Sequence, residues 1–251
     1  MATPAVIDLD ALLAPIVGDA PTGTDLRKDF SPTAPYRQIR DARNQARRVE
    51  NKIAREEAGS GEKPDWRPVL TETPRVLTTL SKDLELAAYL VEALVRESGF
   101  AGLRDGFQLC RGLVEQYWDG LYPSWATDGE DQDELPQRVA ALAGLNGVEG
   151  DGTLIVPIRS VTLVDPRNGP PLGLSRYEQA ISLAARDAGE REKLVAQGMV
   201  TLDVFEQGVA GSSLDFYRGL ADDLRGAIDE FEKLTATLES RCGIQQSPPA
   251  S

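Results

Sequence analysis

The acidic residues are the first candidates for chemistry, because most other catalytic groups are missing. The 251 residues contain no histidine, which removes His-based triads, imidazole metal ligands and histidine general bases together. A glycosidase-type mechanism needs two carboxylates flanking one bond. The 40 Asp and Glu residues allow many such pairs and single out none. The densest acidic run, Asp128, Glu130, Asp131, Asp133 and Glu134, offers the hard oxygen donors a calcium ion takes. It lacks the glycine at the sixth loop position and the bidentate glutamate at the twelfth, and reads as a solvated acidic loop. Gly147, Gly150 and Gly152 are spaced GxxGxG rather than GxGxxG, with no good strand before them. No glycine-rich loop leads into a Lys-Ser/Thr pair. Gly173-Leu174-Ser175 lacks the second glycine of a nucleophile elbow, and no histidine exists to activate the serine. Neither a metal nor a cofactor is expected, and a carboxylate-based hydrolase is the enzymatic alternative.

The groups suited to binding are more distinctive. The segment from Tyr36 to Glu57 carries Arg37, Arg40, Arg43, Arg47, Arg48, Lys52 and Arg55 in a chain of net charge −13. These cations either pair with the protein's own carboxylates or form a contact surface for an acidic partner. The overall charge repels phosphate backbones and anionic lipid, and aromatic interleaving is missing, so nucleic acid is not an expected partner. Of the tryptophans, Trp118 falls on an apolar helical stripe and reads as core. Trp66 and Trp125 sit near Pro and Gly, where each serves as a lid over helices or as an exposed anchor.

The elements holding these residues read as helices. Asp8 is placed to cap a short helix over Leu9 to Leu13, ended by the Pro15, Gly18, Pro21 and Gly23 loop. A narrow apolar stripe of Ile39, Ala42, Ala46, Val49 and Ile53 predicts an exposed helix from Tyr36. Another follows Pro64-Asp65-Trp66-Arg67-Pro68 to about Leu80, with a kink or break at Pro74. Ser81 is the expected N-cap of a central helix bearing Leu84, Ala87, Ala88, Val91, Leu94 and Val95. A loop near Ser98-Gly99 should fold it into an antiparallel hairpin with the run from Leu103 to Leu121. Helical spacing returns over Leu135 to Leu145. Branched residues from Leu154 to Val164 predict a short edge strand or hairpin, Pro157 arguing against a central one. Ser175-Arg176-Tyr177-Glu178 reads as a capping box. Helices follow over 190–197, from Thr201 to Gln207, and from Ser213 to a Gly243 C-cap.

The expected fold class is therefore all-α, mainly antiparallel helices, with one small β-like element near residues 153–164. Residues 1–147 form the first helical region, 148–243 continue the same domain, and 244–251 have linker composition, so the native chain is expected to extend further. Cys110 and Cys242 fit free thiols of a reducing compartment. No stretch is long and apolar enough to span a bilayer, and no basic leader precedes an apolar core, which together predict a cytoplasmic protein. A ligand-sensing helical bundle is a further alternative and would need an enclosed pocket.

Five ordered pieces carry a family resemblance. They are Leu13-Ala14-Pro15-Ile16-Val17-Gly18-Asp19-Ala20-Pro21-Thr22-Gly23-Thr24-Asp25-Leu26-Arg27, Asp65-Trp66-Arg67-Pro68-Val69, Ser81-Lys82-Asp83-Leu84, Gly99-Phe100-Ala101-Gly102-Leu103, and Tyr117-Trp118-Asp119-Gly120-Leu121-Tyr122-Pro123. Together they resemble the ImpA N-terminal domain shared by TssA-type components of the bacterial type VI secretion system, most closely over residues 9–147. Lys28-Asp29-Phe30-Ser31-Pro32 departs from that pattern. The resemblance implies a non-enzymatic assembly scaffold at the secretion apparatus, contacting baseplate, membrane-complex, tube or sheath proteins. It supplies no catalytic residues. Ring formation is not expected without the C-terminal region such proteins use for it, although self-association is compatible with the reading. Asp25, Arg27, Asp65, Trp66 and Arg67 are the candidate docking residues. Gly18, Pro21, Gly23, Leu26, Ser81, Lys82, Asp83, Leu84, Gly99, Phe100, Gly102, Leu103, Tyr117, Trp118 and Pro123 read as structural.

Overall fold

The computed structural model describes residues 1–55, 61–124, 134–147, 152–167 and 169–242. Its helices are α1 (Leu9–Leu13), α2 (Pro35–Ala54), α3 (Arg67–Thr79), α4 (Leu84–Tyr117), α5 (Glu134–Asn146), α6 (Ile155–Ser160), α7 (Leu174–Ala184), α8 (Ala188–Ala196), α9 (Leu202–Gly211) and α10 (Leu214–Cys242). Strands β1 (Thr162–Val164) and β2 (Leu172–Gly173) pair antiparallel. The fold is mainly α-helical, as its periodicity predicts.

The centre of the molecule is α4, whose two arms double back where Gly99 takes a non-helical conformation (φ 56°, ψ −134°). Small residues let the arms close. A Cβ at Gly102 would lie 2.2 Å from the Leu94 carbonyl oxygen, and one at Gly106 would lie 2.9 Å from a Val91 methyl. These contacts fix the antiparallel pairing expected around Ser98-Gly99. Leu86, Leu90, Leu109 and Leu113 are all inaccessible to solvent, so α4 is apolar around most of its circumference. Each such side chain contributes roughly 1.5–3 kcal/mol by burial. Helices α1, α2, α3, α5 and α10 pack around this hairpin, with Phe107 of α4 against Phe231 of α10 at 5.4 Å between ring centres.

A smaller core of Val164, Leu172 and Phe205 lies beneath the β1–β2 ribbon and α9. The branched run was expected to be extended from Leu154, yet residues 155–160 are helical and only Thr162–Val164 form a strand. Pro157 explains both facts. It cannot donate within a sheet, but in the first turn of a helix its missing N–H would have no partner anyway.

Local caps divide similarly. Asp8, Asp187 and Thr201 cap α1, α8 and α9 by accepting backbone amides. The N-cap of α4 is Asp83 rather than Ser81, whose buried hydroxyl has no hydrogen-bond partner among the described residues. Ser175 sits inside α7, not at its cap. Its hydroxyl donates to the Arg159 carbonyl while Glu178 pairs with Arg159, so the supposed capping box ties α7 to α6. Pro74 lies inside α3 without ending it. The Gly243 cap and the 244–251 linker fall outside the described residues.

Candidate protein-docking surface

The Gly18–Arg27 loop, the Ser81–Asp83 connector and the Tyr122 segment meet in one junction. Thr24 N–H donates to the Leu80 carbonyl at 3.0 Å and Lys82 N–H to the Thr22 carbonyl at 2.9 Å. On the other side, Tyr122 N–H donates to the Lys82 carbonyl at 2.9 Å and Leu84 N–H to the Tyr122 carbonyl at 2.7 Å. The connector is thus clasped on both edges. Gly23 makes this approach feasible, because at φ +71° an added Cβ would lie 2.0 Å from the Leu80 carbonyl oxygen. The Tyr122-Pro123 peptide is cis.

Lys82 is completely buried. Its Nζ donates to the carbonyls of Leu12 and Leu77, each at 2.7 Å, which belong to the last turns of α1 and α3. Helix C-termini leave carbonyls without intrahelical partners and carry partial negative charge, so one ammonium serves two helix ends. Burial pushes its pKa down to about 8. The neighbouring Asp83 is also inaccessible. Its Oδ1 accepts the Glu85 and Leu86 amides, and Arg27 donates to both carboxylate oxygens. Burial raises the Asp83 carboxyl, opposed by Arg27 and the Leu86 amide.

From this junction a polar network runs along one face of the first α4 arm, through Glu85, Tyr89, Glu92 and Arg96, spaced i, i+4, i+7 and i+11. Glu85 receives Arg27 and the hydroxyls of Tyr36 and Tyr89. Although burial works the other way, these hydrogen bonds and the Arg27 charge hold the Glu85 carboxyl below its usual value. Glu92 accepts Arg43 Nε at 3.1 Å, and Arg43 lies over the Tyr89 ring at 4.4 Å. Arg96 lies over the Trp66 ring at 4.0 Å and grips Glu50 at 2.7 and 2.8 Å. Glu50 also accepts Trp66 Nε1–H at 2.9 Å. Arg27 and Trp66 therefore sit at opposite ends of one network, about 16 Å apart along the helix axis.

The candidate docking residues divide by this geometry. Asp25 caps the 3-10 turn at Leu26–Lys28, Arg27 is engaged with carboxylates, and Trp66 is a lid residue only 7% exposed. Asp65 and Arg67 stand at the surface, joined by a 2.8 Å ion pair. Hydrogen bonds from Arg67 hold the Asp65 carboxyl down at about 2. Among the structural residues, Gly18 and Pro21 are exposed, while Leu26, Leu84, Phe100, Gly102, Leu103 and Trp118 are buried. Tyr117 donates its hydroxyl to the Leu13 carbonyl, and the Pro123 carbonyl accepts Arg138. Trp125 and the acidic run Asp128 to Asp133 lie outside the described residues.

Two residues that carry this junction and its network went unremarked in the sequence. Arg138 is 2% exposed, donates to the Trp118 and Pro123 carbonyls, and lies 5.1 Å from the Trp118 ring. Glu92 is 1% exposed. The available signal was a charged residue on an apolar stripe: Arg138 precedes Leu142 and Leu145 at helical spacing, and Glu92 interrupts an apolar α4.

Asp83 and Glu85, the adjacent acids of the junction, are driven in opposite directions and saturated by donors. Asp83 is closed to solvent, so it cannot act on a substrate together with the half-buried Glu85 in this fold. A half-open groove of about 770 Å³ lies between the α2 end, the α4 bend, α6 and α10, with Ile53, Phe100, Val156 and Phe216 in its walls. Among the described residues no group of three or more His, Cys, Asp or Glu side chains could hold a metal, and no helix is long and apolar enough to cross a membrane.

The family model described as ImpA, N-terminal, type VI secretion system matches residues 13–147. The chain belongs to this family. The whole junction, from Gly18 to Pro123, lies inside the ImpA N-terminal match. The type VI secretion system component TssA1 of Pseudomonas aeruginosa is 35% identical over 148 residues, covering 56% of this chain and 38% of that protein. The chain thus spans well under half of that relative. The solved N-terminal domain of the TssA component from Burkholderia cenocepacia, which includes the conserved ImpA_N region, shares 26% identity and superposes with a TM-score of 0.75. That likeness covers 98% of this chain and 87% of the other, so it reaches beyond the residues that the family model matches.

Proposed function

We propose that this chain is a non-enzymatic docking module of the type VI secretion system. It acts in the bacterial cytoplasm by binding baseplate, membrane-complex, tube or sheath proteins during assembly. The observation that carries this reading is the use to which the motif residues are put. Lys82, Asp83 and Arg27 are spent on two helix C-termini, one helix N-terminus and a buried ion pair, leaving a rigid frame that positions surface loops.

Within that frame, Asp65 and Arg67 are the accessible contacts of the docking set, while Asp25, Arg27 and Trp66 hold the surface in place. Solvated charges at an interface rim contribute mainly to association rate and register. The test is direct binding of the purified chain to each purified tube, sheath, baseplate and membrane-complex protein of its own organism. Saturable binding to at least one component is expected. A folded, monodisperse sample that binds none of them overturns the proposal.

A further inference from the structure

We infer that the outer face of α2 docks an acidic segment of another protein. The inference rests on reading the chain as an assembly module, and it specifies the chemistry of one partner. The helix buries Ile39, Ala46 and Val49. Its arginines split across two sides. Arg43 and Arg47 turn inward to Glu92, while Arg37, Arg48 and Arg55 lie at i, i+11 and i+18, within about 20° of one line opposite Ala46. That line is about 27 Å long. Arg37, Arg48 and Arg55 have no carboxylate within ion-pair distance among the described residues.

Half-buried Arg40 and exposed Lys52 flank the stripe. The carboxylate on the same face is Asp41, which Arg40 takes at 3.3 Å, and Glu62 meets Lys52 at 3.3 Å. Asp29 in the preceding loop accepts the Ser31 amide at 2.9 Å and feels the charge of Arg37 without reaching ion-pair distance. A row of cations without a direct ion-pair partner among the described residues is unusual on a chain of net charge −13. It repels itself, and a carboxylate-bearing surface complements it. Phe30, 76% exposed, lies 5.8 Å from Arg37 and adds an aromatic anchor at one end, the combination enriched where proteins meet.

Other polyanions fit less well. A membrane-lying helix must offer a continuous apolar face to lipid, and that of α2 is buried at Ile39, Ala46 and Val49, leaving Ile53 exposed at its end. A nucleic-acid surface would bring phosphates near the remaining acidic surface, with no row of exposed aromatics for bases to stack on. Among the described residues, the long helix a second copy offers is α10, where Arg218, Arg225 and Lys233 alternate with Asp215, Asp222 and Glu230 and dilute any acidic stripe.

The test places a photo-crosslinking benzoylphenylalanine at Asn51, an exposed α2 position beside the stripe, in the full chain within its own bacterium. Crosslinked peptides are then sequenced by mass spectrometry. The expected adduct is a segment of another protein rich in Asp and Glu. Its yield should fall about tenfold in Arg37→Glu/Arg48→Glu/Arg55→Glu and persist in the triple Lys variant. These residues are peripheral, so both variants should melt with the parent chain. Absence of an adduct, an adduct indifferent to charge reversal, or one on phospholipid, nucleic acid or a second copy overturns the inference. If it fails while purified secretion components still bind the chain, only the α2 assignment falls. If both fail, the assembly reading falls with it.

Discussion

The guanidinium of Arg27 holds the buried Asp83 carboxylate with two bonds, Nη1 to Oδ2 at 2.6 Å and Nη2 to Oδ1 at 3.3 Å. Asp83 is also the N-cap of α4, so this pair fixes the loop before residue 30 to the start of the central hairpin. Arg27→Ala leaves a buried charge without its counterion, which costs about 3–5 kcal/mol. Arg27→Lys restores only part of this, because an ammonium lacks the planar fork. Urea denaturation should also show Asp83→Asn to be less damaging in the Arg27→Ala background than in the parent. Equal effects in both backgrounds would contradict the coupling.

Gly23 has no tolerance for a side chain. At φ +71° its Cβ would meet the Leu80 backbone oxygen, which is part of the junction and cannot swing away. Gly23→Ala is expected to lower the melting temperature sharply or abolish folding, whereas Gly18→Ala, with open space around it despite φ +138°, should be milder. Similar melting temperatures for the two would show that the junction yields.

Lys82 gives the fold a pH signature. Its folded pKa is about 8 against 10.5 for the free side chain, so between these values the unfolded chain keeps a proton that the folded chain has released. Stability therefore rises with pH across that window, by about 3 kcal/mol in the absence of other titrations. Cys110 opposes it, since burial pushes its thiol from 9.0 up to about 12 and the unfolded chain loses that proton first. The Lys82 effect is thus clearest between pH 8 and 9. Stability measured there should rise for the parent relative to Lys82→Met, and parallel curves would refute the assignment.

Trp66 and its neighbours should separate packing from contact. Trp66→Ala removes the Arg96 stack and the Glu50 hydrogen bond, for a loss of about 3–5 kcal/mol. Asp65→Ala/Arg67→Ala should lower the melting temperature far less than Trp66→Ala, since only an exposed ion pair and one amide contact at the start of α3 are lost, while slowing association with the secretion partner. Calorimetry and binding kinetics on the same samples decide this, and unchanged kinetics would remove Asp65 and Arg67 from the docking set.

Much of this architecture was readable from residue order because periodicity and turn residues act locally. The Asp8 cap, the Ser98-Gly99 turn and the α4 stripe each declare themselves within a few positions. The departures have a common cause in distant partners. Ser175 and Glu178 have the spacing of a cap, yet Arg159 draws both away. Pro157 correctly excluded a central strand but could not indicate that a helix would begin there. The buried charges were the least legible, because Lys82 is explained only when the ends of α1 and α3 arrive together, and Arg138 only when the Trp118 and Pro123 carbonyls face it.

If the module serves assembly of the secretion machine as proposed, sheath formation in living cells depends on it. The measurement is the frequency of fluorescent sheath structures in the native bacterium after deletion of the segment encoding these residues, with and without the intact chain supplied in trans. Sheath assembly should be lost on deletion and recover when the chain is supplied in trans. Sheaths that form and function at the parental frequency without the segment would contradict the assembly role.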